Sequence, residues 1–71
     1  MTRVTQTQIL CRAIEHCTAE LQEVHADVAE WLRLGRKDTA DFVWAKIYTP
    51  LEEELDVLKQ MYEIETGSPY A

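Results

Sequence analysis

Glycine and proline are scarce in this 71-residue chain, with two of each, and only two cysteines are present. Gly35 and Gly67 stand alone, so no glycine-rich loop exists to cradle a phosphate. Cations are few as well: seven Lys and Arg against thirteen Asp and Glu leave a net charge of -6, which repels phosphate backbones and anionic lipid. Direct binding to nucleic acid or a membrane surface is disfavoured on that ground. No apolar run approaches the roughly 18 residues of a membrane span, and no charged-then-apolar leader ends in small residues. A cytoplasmic protein is expected. Cys11 and Cys17, six positions apart, would point about 240° away from one another on a helix, so they are expected to stay reduced rather than bridge.

What the chain has instead is helical period. Thr5 with Gln8 three residues on forms a capping box, and Val4 with Ile9 has the spacing of a hydrophobic staple, so a first helix should begin near residue 6. Leu10, Ile14, Cys17, Leu21, Val24, Val28 and Trp31 then follow in alternating steps of four and three. Gly35 supplies a left-handed stop, and Asp38 or Thr39 is placed to cap the next helix. A matching seam of Trp44, Tyr48, Leu51, Leu55, Leu58 and Tyr62 follows, and one antiparallel register pairs the two seams from Val28 with Trp44 through Leu10 with Tyr62.

The spacing predicts an all-α fold: one domain, residues 1–71, forming an antiparallel helical hairpin with helix 1 at about 6–34, a loop at 35–38 and helix 2 at about 39–66. Thr49, Pro50 and Glu52 also spell a helix start, but the seam crosses them without losing a step, so helix 2 is expected to be kinked at Pro50 rather than broken.

Helix 2 carries a second row beside its seam: Ala40, Val43, Ile47, Pro50, Glu54, Val57, Met61 and Ile64, of which only Glu54 is polar. Ile9, Ala13 and Leu34 extend it onto helix 1. A two-helix hairpin covers one such row, so the second is expected to face a protein, foremost a second copy in a four-helix bundle, otherwise a heterologous partner.

Candidate chemistry is sparse. Glu20 and Glu23 on helix 1 and Glu53 and Asp56 on helix 2 resemble the metal-binding signature of all-α nucleotide pyrophosphohydrolases of the MazG type, which implies Mg²⁺ held against a nucleotide's phosphates. The phase turns Glu53 and Asp56 away from helix 1, so these four would converge only across a dimer. His16 and His25 are read as packing or surface residues without a metal-pairing neighbour on their faces. Arg33, Arg36 and Lys37 cluster at the loop tip, with Arg3 at the far end, in an architecture similar to Rop-like RNA-binding hairpins. A stripe of cations along one face is missing, and charge near a helix C-terminus complements the helix dipole. No cofactor, metal or catalytic residue is expected, and the chain is not expected to be an enzyme. The reading is a homodimeric regulator or inhibitor that also binds another, unidentified protein, by analogy with small accessory proteins of phages and mobile elements. Glu15, Glu23, Glu30, Glu52, Glu53, Asp56 and Glu63 are its candidate acidic surface, able to mimic nucleic acid.

Overall fold

A computed structural model describes residues 5–70, and all of its regular structure is helical. Helix α1 (Gln6–Arg33) starts where the capping box places it: the Thr5 hydroxyl accepts from the Gln8 amide at 3.1 Å while the Gln8 side chain accepts from the Thr5 amide at 2.9 Å. Val4 lies outside the described residues, so the expected staple with Ile9 is not described. At the other end the Arg36 amide donates to the Trp31 carbonyl and the Gly35 amide to Leu32, with Gly35 at φ 77°. That left-handed residue closes two orphan carbonyls and turns the chain back.

The second arm begins earlier than the sequence suggests. Helix α2 (Lys37–Val43) has Arg36 at its N-cap without any side-chain cap bond. Asp38 and Thr39 therefore lie inside the helix, and Asp38 meets the N-terminal end of the dipole from the first turn instead of capping it. The connection shrinks to residues 34–36. A π-turn, Trp44–Tyr48, joins α2 directly to α3 (Thr49–Thr66), and Val43, Trp44, Tyr48 and Thr49 all keep right-handed helical backbone angles. Gly67, at φ 74°, ends α3.

The π-turn corrects the seam. In it the Thr49 amide donates to the Trp44 carbonyl five residues back, and the Thr49 hydroxyl donates to the same oxygen at 3.0 Å. Such a turn holds one residue more than an α-turn, so every upstream position moves by one place on the helix face. The seam extended back from Tyr48 would run through Trp44 and Asp41. With the extra residue, Val43 and Ala40 take those places: Ala40 is 1% exposed and Val43 half-buried, while Trp44 is 44% exposed.

Among the described residues the buried apolar set is Leu10, Ile14, Cys17, Leu21 and Val28 from α1 and Ala40 from α2. Val24 and Trp31 of the predicted α1 seam are half-buried. No residue of α3 is fully buried: Leu51, Leu55, Leu58 and Tyr62 are all half-buried. The hairpin is one helix layer thick, with extents of 50 × 25 × 18 Å. Its radius of gyration of 15.4 Å exceeds the roughly 11 Å expected of a compact 71-residue domain.

Candidate functional site

Each residue just before a seam position in α1 or α3 falls on the same flank of an antiparallel pair, and this flank has two contrasting ridges. Along the π-turn and α3 it presents Ile47, Pro50, Glu54, Val57, Met61 and Ile64, all exposed, with Ile64 at 85%. Along α1 and its C-cap it presents Ile9 and Ala13 at one end, Leu34 at the other, and His16, Glu20, Glu23, Asp27 and Glu30 between them. Ile9 and Leu34 are about half exposed and Ala13 half-buried. Ala40 and Val43 were expected in this row and do not belong to it, because the π-turn rotates them onto α1. Phe42, 61% exposed, takes the corresponding outer place upstream of the turn.

Between the ridges lies Cys17. The residue is 4% exposed, and its thiol donates to the Leu51 carbonyl at 3.3 Å. Burial raises its pKa, and the Glu54 and Glu20 carboxylates on either side add to the rise, so the thiol is held in its unreactive form. Glu20 in turn accepts from His16 Nε2 at 2.9 Å, one helical turn back. That pair corrects the expectation that neither histidine has a carboxylate neighbour. It is exposed and contributes little to stability.

The opposite flank holds a feature that the sequence reading missed. Trp44 and Tyr48 stack with ring centroids 4.1 Å apart at 12°, and His25 of α1 packs against both, at 6.4 and 6.1 Å. Beside them a groove of about 410 Å³ is lined by His25, Val28, Ala29, Leu32, Ala40, Asp41 and Trp44. The available signal was the mismatch around residue 41: an acid stands where the heptad seam asks for an apolar residue, and apolar Ala40 and Val43 stand one place earlier. A one-residue phase slip of that kind marks an inserted residue.

The remaining candidate residues do not converge. By helical phase Glu15, Glu52, Asp56 and Glu63 fall on the aromatic flank, Glu23 and Glu30 on the ridged flank, and Glu53 points back from α1. The seven therefore form no continuous acidic face. Among the described residues no group of three or more His, Cys, Asp or Glu is placed to hold a metal ion, and the four positions resembling the MazG-type signature remain apart. At the loop tip Arg33 pairs with Glu30, its Nε donating at 3.0 Å, and Arg36 lies 5.5 Å over the Trp31 ring. Both cations thus have local partners; Arg3 lies outside the described residues. No described helix is long and apolar enough to cross a membrane. Compared with known proteins, the chain matches no family model, no curated protein and no solved structure.

Proposed function

We propose that this protein is a small acidic binding module, a regulator or inhibitor of another protein rather than an enzyme, that completes its own core by pairing with a second copy. The observation that carries the reading is the unequal burial of the two arms. The seam of α1 is buried at five positions, whereas every seam residue of α3 is half-wet and the row beside it is exposed. A hairpin whose second arm lacks a cover is a layer that lacks its partner layer. The two second arms then cover one another within a four-helix assembly, with α2 and α3 acting as a single rod bent at the π-turn and Pro50. The module acts in the cytoplasm, where Cys11 and Cys17 stay reduced.

The acidic ridge of α1 shapes how two copies meet. Stacking the hairpins squarely would set Glu20, Glu23, Asp27 and Glu30 against their own copies, so contact through the α3 rows, with the two α1 helices held apart, is the favoured arrangement. The ridge stays open to a basic surface on the regulated protein.

Sedimentation equilibrium from one to one hundred micromolar tests the pairing. The expected result is a monomer–dimer equilibrium that is lost when Ile47 and Met61 are both replaced by Glu. A wild-type chain that stays monomeric throughout refutes the homodimer and leaves the row to a heterologous partner.

A further inference from the structure

We infer that the groove on the aromatic flank receives a helix of the regulated protein that carries an arginine on its apolar face, with the guanidinium seated between Trp44 and Asp41. This names the partner's chemistry and rests on the reading of the chain as a module that binds another protein; it does not depend on the homodimer. The groove has a floor of buried Val28 and Ala40, an apolar wall of Ala29 and Leu32 on α1, and an opposite wall of Asp41 and Trp44 on the second arm. Leu32 and Trp44 are 52 and 44% exposed, so much of the apolar lining is wet. A second hollow of about 280 Å³ meets the groove at His25 and reaches back to Thr18. From Thr18 to Leu32 the trough follows about 20 Å of α1, the length of a docked helix of about 14 residues.

The π-turn makes this groove. A regular helix would carry Trp44 and Asp41 on the seam against α1; the extra residue puts Val43 and Ala40 there and leaves the indole and the carboxylate on the wall. Wide turns of this kind concentrate at functional sites. Tyr48 covers one face of the Trp44 ring and His25 meets it at 61°, which leaves the other face for the groove, with Asp41 three residues back on the same side of the helix. A planar guanidinium suits both walls' chemistry, since it stacks on an indole and forks onto a carboxylate. The chain already pairs its other tryptophan in this way, with Arg36 lying 5.5 Å over the Trp31 ring. Among the described residues no cation covers Trp44, and none is ion-paired with Asp41, although Lys37 stands one turn before it. Both walls belong to helices whose backbone bonds are internal, so an incoming chain must satisfy its own backbone, as a helix does. The net charge of -6 draws a cationic segment in. The groove lies on the flank opposite Ile47, Met61 and Ile64, so pairing of two copies through that row leaves it open.

Trp44 itself reports the test. In a Trp31→Phe background its fluorescence is titrated with a synthetic amphipathic helix of about 14 residues that bears one arginine within a leucine face, and with the same peptide carrying glutamine in place of the arginine. The expected result is binding of the arginine peptide that weakens about tenfold or more either with the glutamine peptide or in Asp41→Asn. Combining the two changes should add little, because each removes the same contact. Ala29→Phe, which fills the groove from an exposed position, should abolish binding, and circular dichroism checks that each variant remains helical. Equal losses in Asp41→Asn and in Glu52→Gln, an acid of the same flank outside the groove, show unspecific charge attraction and overturn the inference. Loss in Glu23→Gln and Asp27→Asn with Asp41→Asn silent moves the partner to the acidic ridge, which overturns the groove and keeps the binding-module reading. Binding of neither peptide overturns the inference alone, whereas a wild-type chain that is monomeric by sedimentation counts only against the homodimer.

Discussion

Pro50 and the π-turn just ahead of it should be energetically coupled, and deleting one exposed residue exposes the coupling. A proline inside an α-helix lacks the amide that would bond four residues back, and its ring collides with that carbonyl, here that of Lys46, at a cost of about 3 kcal/mol. The wide turn spanning Trp44–Tyr48 moves those carbonyls, so that Pro50 stands at the first turn of α3, where its missing amide costs nothing. Pro50→Ala alone should then change stability by less than about 1 kcal/mol, since little strain remains to be relieved. Deleting Ala45, an exposed residue within the turn, makes Trp44 the fourth residue before Thr49, so the existing Thr49 to Trp44 bond becomes an ordinary α-helical one. Val43 and Ala40 keep their inward places in a regular helix. Only the proline clash returns, so the deletion should cost about 3 kcal/mol, and adding Pro50→Ala should restore most of it. Thermal unfolding at one fixed protein concentration reads the cycle, because a dimer's melting temperature depends on concentration. For a chain of this size the deletion should lower Tm by roughly 12 to 24 °C. A silent deletion, or a Pro50→Ala variant that alone gains about 3 kcal/mol, would refute the idea that the turn accommodates the proline.

Other expectations concern the thiols, the carboxylates and the first helix cap. Cys11 should react with a thiol reagent near pH 8 far faster than Cys17, whose thiolate is opposed by burial and then by Glu54 and Glu20; equal rates would contradict its sequestration. The raised Cys17 pKa also fixes a sign. The unfolded chain ionises this thiol near pH 8.5 while the folded one keeps its proton, so stability is fully present below that pH and declines as pH climbs toward the folded value. Denaturant midpoints between pH 7 and 10 test this, with Cys17→Ala expected to flatten the decline. Millimolar Mg²⁺ or Mn²⁺ should leave Tm nearly unchanged, and no nucleoside triphosphate should be hydrolysed; metal-dependent stabilisation lost in Glu23→Gln and Glu53→Gln would restore the pyrophosphohydrolase reading. Thr5→Ala should cost about 1 kcal/mol by removing the capping box, and a neutral result by denaturant titration would show that the end of α1 is frayed.

Periodicity determined much of this protein without any coordinates. The capping box at Thr5, the α1 seam from Leu10 to Val28 and the left-handed stop at Gly35 are local features, set by bonds and phases within a few residues, and local rules read them correctly. The second arm is where they fail. From Tyr48 to Tyr62 the seam lies where the heptads put it, but upstream of Tyr48 two rows can continue it, Trp44 with Asp41 or Val43 with Ala40. Which row faces α1 depends on whether one extra residue is held in the turn before Pro50. That choice balances a proline clash, the two bonds from Thr49 to the Trp44 carbonyl, and the room beside α1 for Ala40 rather than Trp44. Only the packed structure balances all three. The same choice leaves Trp44 exposed, stacked on half-buried Tyr48 beside His25, and puts Phe42 in the outer place that Val43 would have taken. The sequence thus shows that an unpartnered surface exists, because an apolar row needs only its period to be seen, whereas the place where that surface begins, and how a second chain would register on it, follows from tertiary packing.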